Sequence, residues 1–120
     1  MSWTFSYSVD STVVIVETHG EYSALGGEQM VRELQEQLDK FGCTRALVDH
    51  RDADITFKFM DIFDRPNLYN SIGLTRNTKV ALVFRELKSD YTFFETVCVN
   101  RGYKWKVFIS YDLAMKWLIS

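Results

Sequence analysis

A mixed α/β sheet of five strands with four helices, in the order ββαβαβαβα, is the fold class this 120-residue sequence predicts. Three observations predict it. Two short segments alternate apolar and polar residues with a period of two, the mark of strands with one wet face. Three others are apolar throughout, as strands buried on both faces of a parallel sheet must be. Segments with helical spacing lie between them, and a strand–helix–strand unit makes its two strands parallel through a right-handed crossover.

The first strand is "WTFSYSV", with Trp3, Phe5, Tyr7 and Val9 on one side and Thr4, Ser6 and Ser8 on the other. Asp10-Ser11 is a short turn into "TVVIVET", apolar on both faces, so the first two strands form an antiparallel hairpin. From Ser23 the period becomes helical. Met30, Leu34, Leu38 and Phe41 form the inner stripe, and Gly42 is the C′ residue, where a missing Cβ permits the left-handed region. The third strand is "RALVD". Phe59, Ile62, Phe63 and Tyr69 outline a second helix, broken at Pro66 because proline cannot donate within a helix. "KVALVF" is a central fourth strand. "SDYTFFETVCVNRG" is a helix capped by Ser89, with Phe94, Val97 and Cys98 inward and Gly102 as its stop. "KWKVFIS" alternates Trp105, Val107 and Ile109 against Lys104 and Lys106, an edge strand guarded by lysine. "SYDLAMKWLIS" closes as a helix with Leu113, Trp117 and Leu118 inward. The alternating first and fifth strands are therefore the two edges.

Composition excludes several classes. A net charge of −2 and a pI near 5.6 give no global basic field for nucleic acid or an anionic membrane. The opening residues alternate rather than forming a signal peptide, and no apolar run reaches membrane-helix length. A single cytoplasmic domain spanning residues 1–120 is expected. Cys43 and Cys98 lack metal spacing and read as free buried thiols.

The candidate chemistry is sparse, and no catalytic residue, metal site or cofactor is expected. His19 and His50 have no partner at ligand spacing and read as strand-end histidines. Cys98 lies on an inward helical stripe, where a thiol ionises poorly. Gly26-Gly27 near a helix start resembles a phosphate cradle without the surrounding motif. Asp10, Asp112, Glu17 and Glu21 read as scattered surface acids. More informative is the charged exit of the third strand, Asp49-His50-Arg51-Asp52-Ala53-Asp54. Open α/β sheets bind ligands outside the carboxyl ends of their strands, and the fourth strand ends likewise at Phe84-Arg85-Glu86. Arg51 and Arg85 on adjacent strand ends could hold one anion in two planar forks, oriented by Asp49 and Asp52. His50, next to Asp49 along the strand, should point to the opposite side, which leaves no general base.

Three segments carry a resemblance: "LVDHRDAD" at 47–54, "KVALVF" at 79–84 and "FFETVCVNRGYKWKVFISYDLAMKWL" at 93–118. With them the chain resembles the SpoIIAA-like proteins, bacterial relatives of the STAS domains and of the CRAL-TRIO lipid-binding fold. The element order extends the likeness to nearly the whole chain. The resemblance implies strands adjacent in rough sequence order, wound as a β-α superhelix. It also implies a regulatory role, since the best understood relatives are anti-sigma-factor antagonists that bind a kinase and are switched by serine phosphorylation. This sequence departs from them at the switch. It reads Asp52-Ala53-Asp54-Ile55-Thr56 where the antagonists have an Asp-Ser-Ser-Gly-like turn, and two aspartates beside Thr56 would repel an added phosphate.

Two function classes follow. The first is a non-catalytic regulatory or protein-interaction module acting through the strand-end loops and the second helix, with Phe57, Phe59 and Tyr69 exposed. The second is a binder of a small anionic ligand or lipid, or an enzyme built on one, using the cleft at the carboxyl ends of strands three and four. Both place contacts at Asp49, Arg51, Asp52, Thr56 and Arg85. A homodimer is also expected. A superhelix gathers its helices on one face, and Trp3, Phe5 and Tyr7 could meet their own copies across the other.

Overall fold

The N-terminal alternation builds β1 (Ser2–Ser8), and the turn after it leads into β2 (Val13–Tyr22). The two strands pair antiparallel, with Phe5 opposite Val16 and Tyr7 opposite Val14. The computed structural model describes residues 1–55, 74 and 76–120. Within them, β3 (Arg45–Ile55), β4 (Lys79–Val83) and β5 (Lys104–Phe108) complete the sheet. The spatial order is β1-β2-β3-β4-β5, and every pairing from β2 to β5 is parallel. The alternating strands are the edges and "KVALV" lies inside, as the contrast in apolar character requires.

Three helices occur among the described residues: α1 (Ala24–Phe41), α2 (Ser89–Asn100) and α3 (Tyr111–Ile119). The expected helix around Phe59, Ile62, Phe63 and Tyr69, its break at Pro66 and the exposure of Phe57 lie outside the described residues. Ser23 starts α1 by accepting the Gly26 N–H at 3.1 Å, and Gly42 ends it at φ 58. Ser110 does the same for α3, accepting the Leu113 N–H at 3.2 Å. The start of α2 differs from expectation. Ser89 is its first helical residue, and the cap is Lys88, whose side chain accepts no bond and whose carbonyl accepts the Tyr91 N–H at 3.0 Å.

The sheet is covered on both sides, which corrects the expectation that the helices gather on one face. On one side Val14, Val16, Val48, Val80 and Leu82 pack against Met30, Leu34 and Leu38 of α1 and Cys98 of α2. On the other, Val13, Leu47, Ala81 and Val83 pack under Ala114 and Leu118 of α3. Each aliphatic side chain so buried contributes about 1.5–3 kcal/mol. The crossover rule explains the division. α1 and α2 connect parallel strands laid down in one direction across the sheet, so right-handedness puts both on the same face. α3 follows the last strand, is no crossover, and folds onto the face left bare.

Side-chain assignments change with this, and Ile109, read as inward with Trp105 and Val107, is 60% exposed past the end of β5. Tyr111, Ala114 and Leu118 set the phase of α3, so Leu113 is 57% exposed rather than inward. Trp3, Phe5 and Tyr7 are half-buried against the α1 side, Tyr7 stacking on Phe41 at 4.2 Å and the Trp3 indole N–H donating to Glu33. The patch assigned to an isologous dimer thus packs in part against α1. The uncovered part of the α3 face lies over β1 and β2, where Thr4, Ser6, Ser8 and Glu17 need no apolar cover.

Candidate functional site

The charged run after Val48 does not leave the sheet. It continues β3 for six residues past Asp49, well beyond the end of β4 at Val83, alongside the equally extended β2. Glu17 pairs with Asp49 and His19 with Asp52, so Thr18 alone faces both His50 and Arg51. This is a β-bulge, the extra residue that re-aims side chains at the rim of a sheet. Its effect on β3 is a change of parity. Ala46 and Val48 face α1 before the bulge, and Ala53 and Ile55 face the same core after it.

Asp49 and Arg51 share the α3 face. Asp49 is only 5% exposed, and Arg51 grips it with Nε at 2.9 Å and a terminal nitrogen at 2.8 Å. The Arg51 backbone N–H adds a third bond at 3.1 Å, made possible by the bulge. Burial alone would raise the Asp49 pKa. The side-chain and backbone bonds from Arg51, with its charge, outweigh that and hold the carboxyl below its ordinary value. The guanidinium stacks over Tyr111 at 5.3 Å and lines an open bowl of about 650 Å³ with Glu17, Ile109, Ser110 and Asp112. Burial and the nearby Asp49 and Glu17 charges push the Tyr111 phenol up.

His50 points the other way, as its place beside Asp49 requires, but it is a buried core histidine rather than a solvated strand end. Its ring stands edge-on to Tyr22 at 4.8 Å and against Phe84 at 5.4 Å. Thr18, fully buried opposite the bulge, lies 2.7 Å from His50 Nδ1 and donates to the Asp49 carbonyl at 3.2 Å. The Thr18 hydroxyl thus stands between the Asp49 carbonyl and the His50 ring, a polar link between β2 and β3 inside the core. Tyr22 reaches this position because Gly27 has no Cβ, which would lie 2.5 Å from the Tyr22 hydroxyl. Gly26-Gly27 therefore serves packing, and the Gly26 N–H is already taken by Ser23.

Arg85 is elsewhere. It pairs with Asp54 at 3.1 Å and lines a separate cleft of about 130 Å³ with His50, Phe84 and Tyr91 on the α2 side. Arg51 and Arg85 thus do not converge, and each is engaged by its own aspartate. Their neighbourhood is acidic rather than cationic, because Glu17, Glu21 and Asp112 form no ion pair among the described residues. Asp52 stands 3.7 Å from His19 on the exposed rim. Thr56 lies outside the described residues. Sequence reasoning treated Glu17 and Asp112 as scattered, and only the meeting of the β2 end with the α3 start brings them to one bowl. Cys98 is buried and its thiol is pushed up to about 12, which makes it an inert core group. No cluster of metal-ligating side chains occurs among the described residues, and none of their helices is long and apolar enough to cross a membrane.

No family model and no curated protein matches this sequence. Solved structures do match it over nearly all of its length. An uncharacterised protein with a SpoIIAA-like fold from Shewanella loihica PV-4 aligns at a TM-score of 0.62 and 19% identity, covering 98% of this chain and 92% of that one. The fold is SpoIIAA-like. An anti-sigma factor antagonist from Mycobacterium paratuberculosis aligns at 0.64 with 12% identity, covering 99% and 96% of the two chains. The anti-sigma factor antagonist SpoIIAA in its unphosphorylated form aligns at 0.56 with 9% identity, covering 96% of each. In this chain the outer half of β3, the bulge and the α3 start lie at the carboxyl end of the parallel strands. There Glu17, Glu21 and Asp112 form no ion pair among the described residues.

Proposed function

We propose that this chain is a non-catalytic regulatory module of the SpoIIAA type that works in the cytoplasm by binding another protein, with the carboxyl edge of its sheet as the contact surface. The observation that carries the reading is the state of Arg51 and Arg85. Both are neutralised by aspartates of the same chain, so among the described residues the edge offers no pair of free forks for a small anion. What it offers is a rim of Glu17, Glu21, Asp52 and Asp112 among exposed Leu25, Leu87 and Ile109. Aliphatic contacts inside a polar rim are the anatomy of a protein interface. Two of the similar structures are anti-sigma factor antagonists, which supports the same class. Arg51, Asp52 and Arg85 belong to the contact, with Asp49 holding Arg51 in place and Thr56 bordering it in sequence. The partner surface carries basic and aliphatic groups.

The test is affinity capture from the native cell with wild type and two variants. Leu87→Glu with Ile109→Glu should lose a captured protein that Val99→Glu, on exposed α2 surface, retains. Loss in both variants, or in neither, would reject the carboxyl edge as the contact.

A further inference from the structure

We infer that this chain self-associates head to tail, the cationic amino edge of one copy meeting the acidic carboxyl edge of the next. The net charge of −2 conceals a separation of charge along the strands. β3, β4 and β5 each begin with a cation, and these stand in register, Arg45 beside Lys79 and Lys79 beside Lys104. Like charges at neighbouring sheet positions repel. Here Arg45 and Lys79 are held by neutral acceptors that leave the charge uncancelled. Lys79 donates to the Trp117 carbonyl at the end of α3 and to the Ser120 hydroxyl. Arg45 donates to the Ser11 carbonyl and the Thr12 hydroxyl. None of the three pairs with a carboxylate among the described residues. Lys106, farther along β5, and Lys116, in the last turn of α3, extend the strip.

The other end of the same face carries Glu17, Asp52 and Asp112, with Arg51 cancelled by Asp49. The two ends lie about 16 Å apart, five residues of β4 at about 3.3 Å each. The Debye length at physiological ionic strength is about 8 Å. The ends of one molecule therefore do not screen each other through solvent, and each presents its own local field. The macrodipole of α3 makes the arrangement compatible with folding, since Asp112 sits at its amino end and Lys116 at its carboxyl end. Two complementary surfaces on one chain form a heterologous contact, which closes into a ring or runs on as an open chain. Exposed ion pairs are individually weak and yield to salt, so the association belongs to high concentration and low ionic strength. A copy seated on the acidic edge would also cover the proposed partner surface.

Sedimentation velocity on the purified chain tests this without any partner, so its outcome is independent of the capture experiment. The weight-average sedimentation coefficient should rise with concentration in low salt and return to the monomer value in high salt. Lys104→Glu with Lys106→Glu and Lys116→Glu turns the amino strip net acidic, and Glu17→Lys with Asp52→Lys and Asp112→Lys turns the carboxyl edge net basic. Each variant alone should remain monomeric, while their equimolar mixture should associate. Cooperative thermal unfolding establishes that both are folded. A wild type monomeric in low salt, an association indifferent to salt, persistence in either variant alone, or a mixture of folded variants that stays monomeric would each overturn the inference.

Discussion

Arg51, inside the outer half of β3, and Arg85, just past the end of β4, are each paired with an aspartate of β3. Their surroundings make them different objects. The carboxylate held by Arg51 is 6% exposed and receives three hydrogen bonds, one from the backbone of a bulge. The carboxylate held by Arg85 is 76% exposed and the guanidinium itself 62%, with one bond of 3.1 Å between them. Identical chemistry thus gives a fixed piece of the sheet in one place and a solvated surface pair in the other. Burial of the acid, rather than presence of the arginine, decides which.

The sharpest way to break the comparison is Asp49→Ala, which leaves the Arg51 charge stacked on Tyr111 without its partner. A loss of about 2–4 kcal/mol is expected from urea unfolding, toward the range for disrupting a buried ion pair. The same pair predicts a pH dependence. Because the folded Asp49 carboxyl is held below its ordinary value of 3.8, its contribution is present above that value and disappears as pH falls through the lower folded one. Wild type and Asp49→Asn should therefore differ most near neutrality and converge in acid. A gap that persists undiminished at pH 2 would assign the difference to packing.

Thr18→Val tests whether the bulge depends on its buried hydroxyl as well as on its ion pair. It removes the hydroxyl that lies 2.7 Å from His50 Nδ1 and should cost about 1–3 kcal/mol. The smallest effect belongs to Arg85→Ala. An exposed pair contributes between zero and about 1 kcal/mol, so its unfolding midpoint should stay close to wild type. A loss as large as that of Asp49→Ala would erase the distinction between the two arginines.

The strands were legible where their patterns were uninterrupted. The alternation of Trp3, Phe5 and Tyr7 marked an edge, and the run Val80-Ala81-Leu82-Val83 marked the interior. The outer half of β3 was not legible, because the bulge at His50-Arg51 changes which residues face the core and a broken period looks like a strand exit. The caps at Ser23 and Ser110 follow local chemistry, whereas Lys88 ends up as a cap without supplying any. Which face α3 would cover could not be read from its sequence, because no crossover rule governs a helix after the last strand. The candidate site was half visible. Arg51 and Arg85 stood out as strand-end cations, but their separate partners depend on burial and bulge geometry. Glu17 and Asp112 meet only after the chain has returned across the whole sheet.

The position of α3 turns sequence order into time order during synthesis. Every strand it covers leaves the ribosome before it does, so Leu47, Ala81 and Val83 are assembled into a sheet whose second face is still bare. Until Ala114 and Leu118 emerge, the nascent chain presents a flat aliphatic surface of the kind that chaperones hold and aggregates recruit. A ribosome arrested between β5 and α3 should accordingly yield a chain retained by the folding machinery, although all five strands are already made.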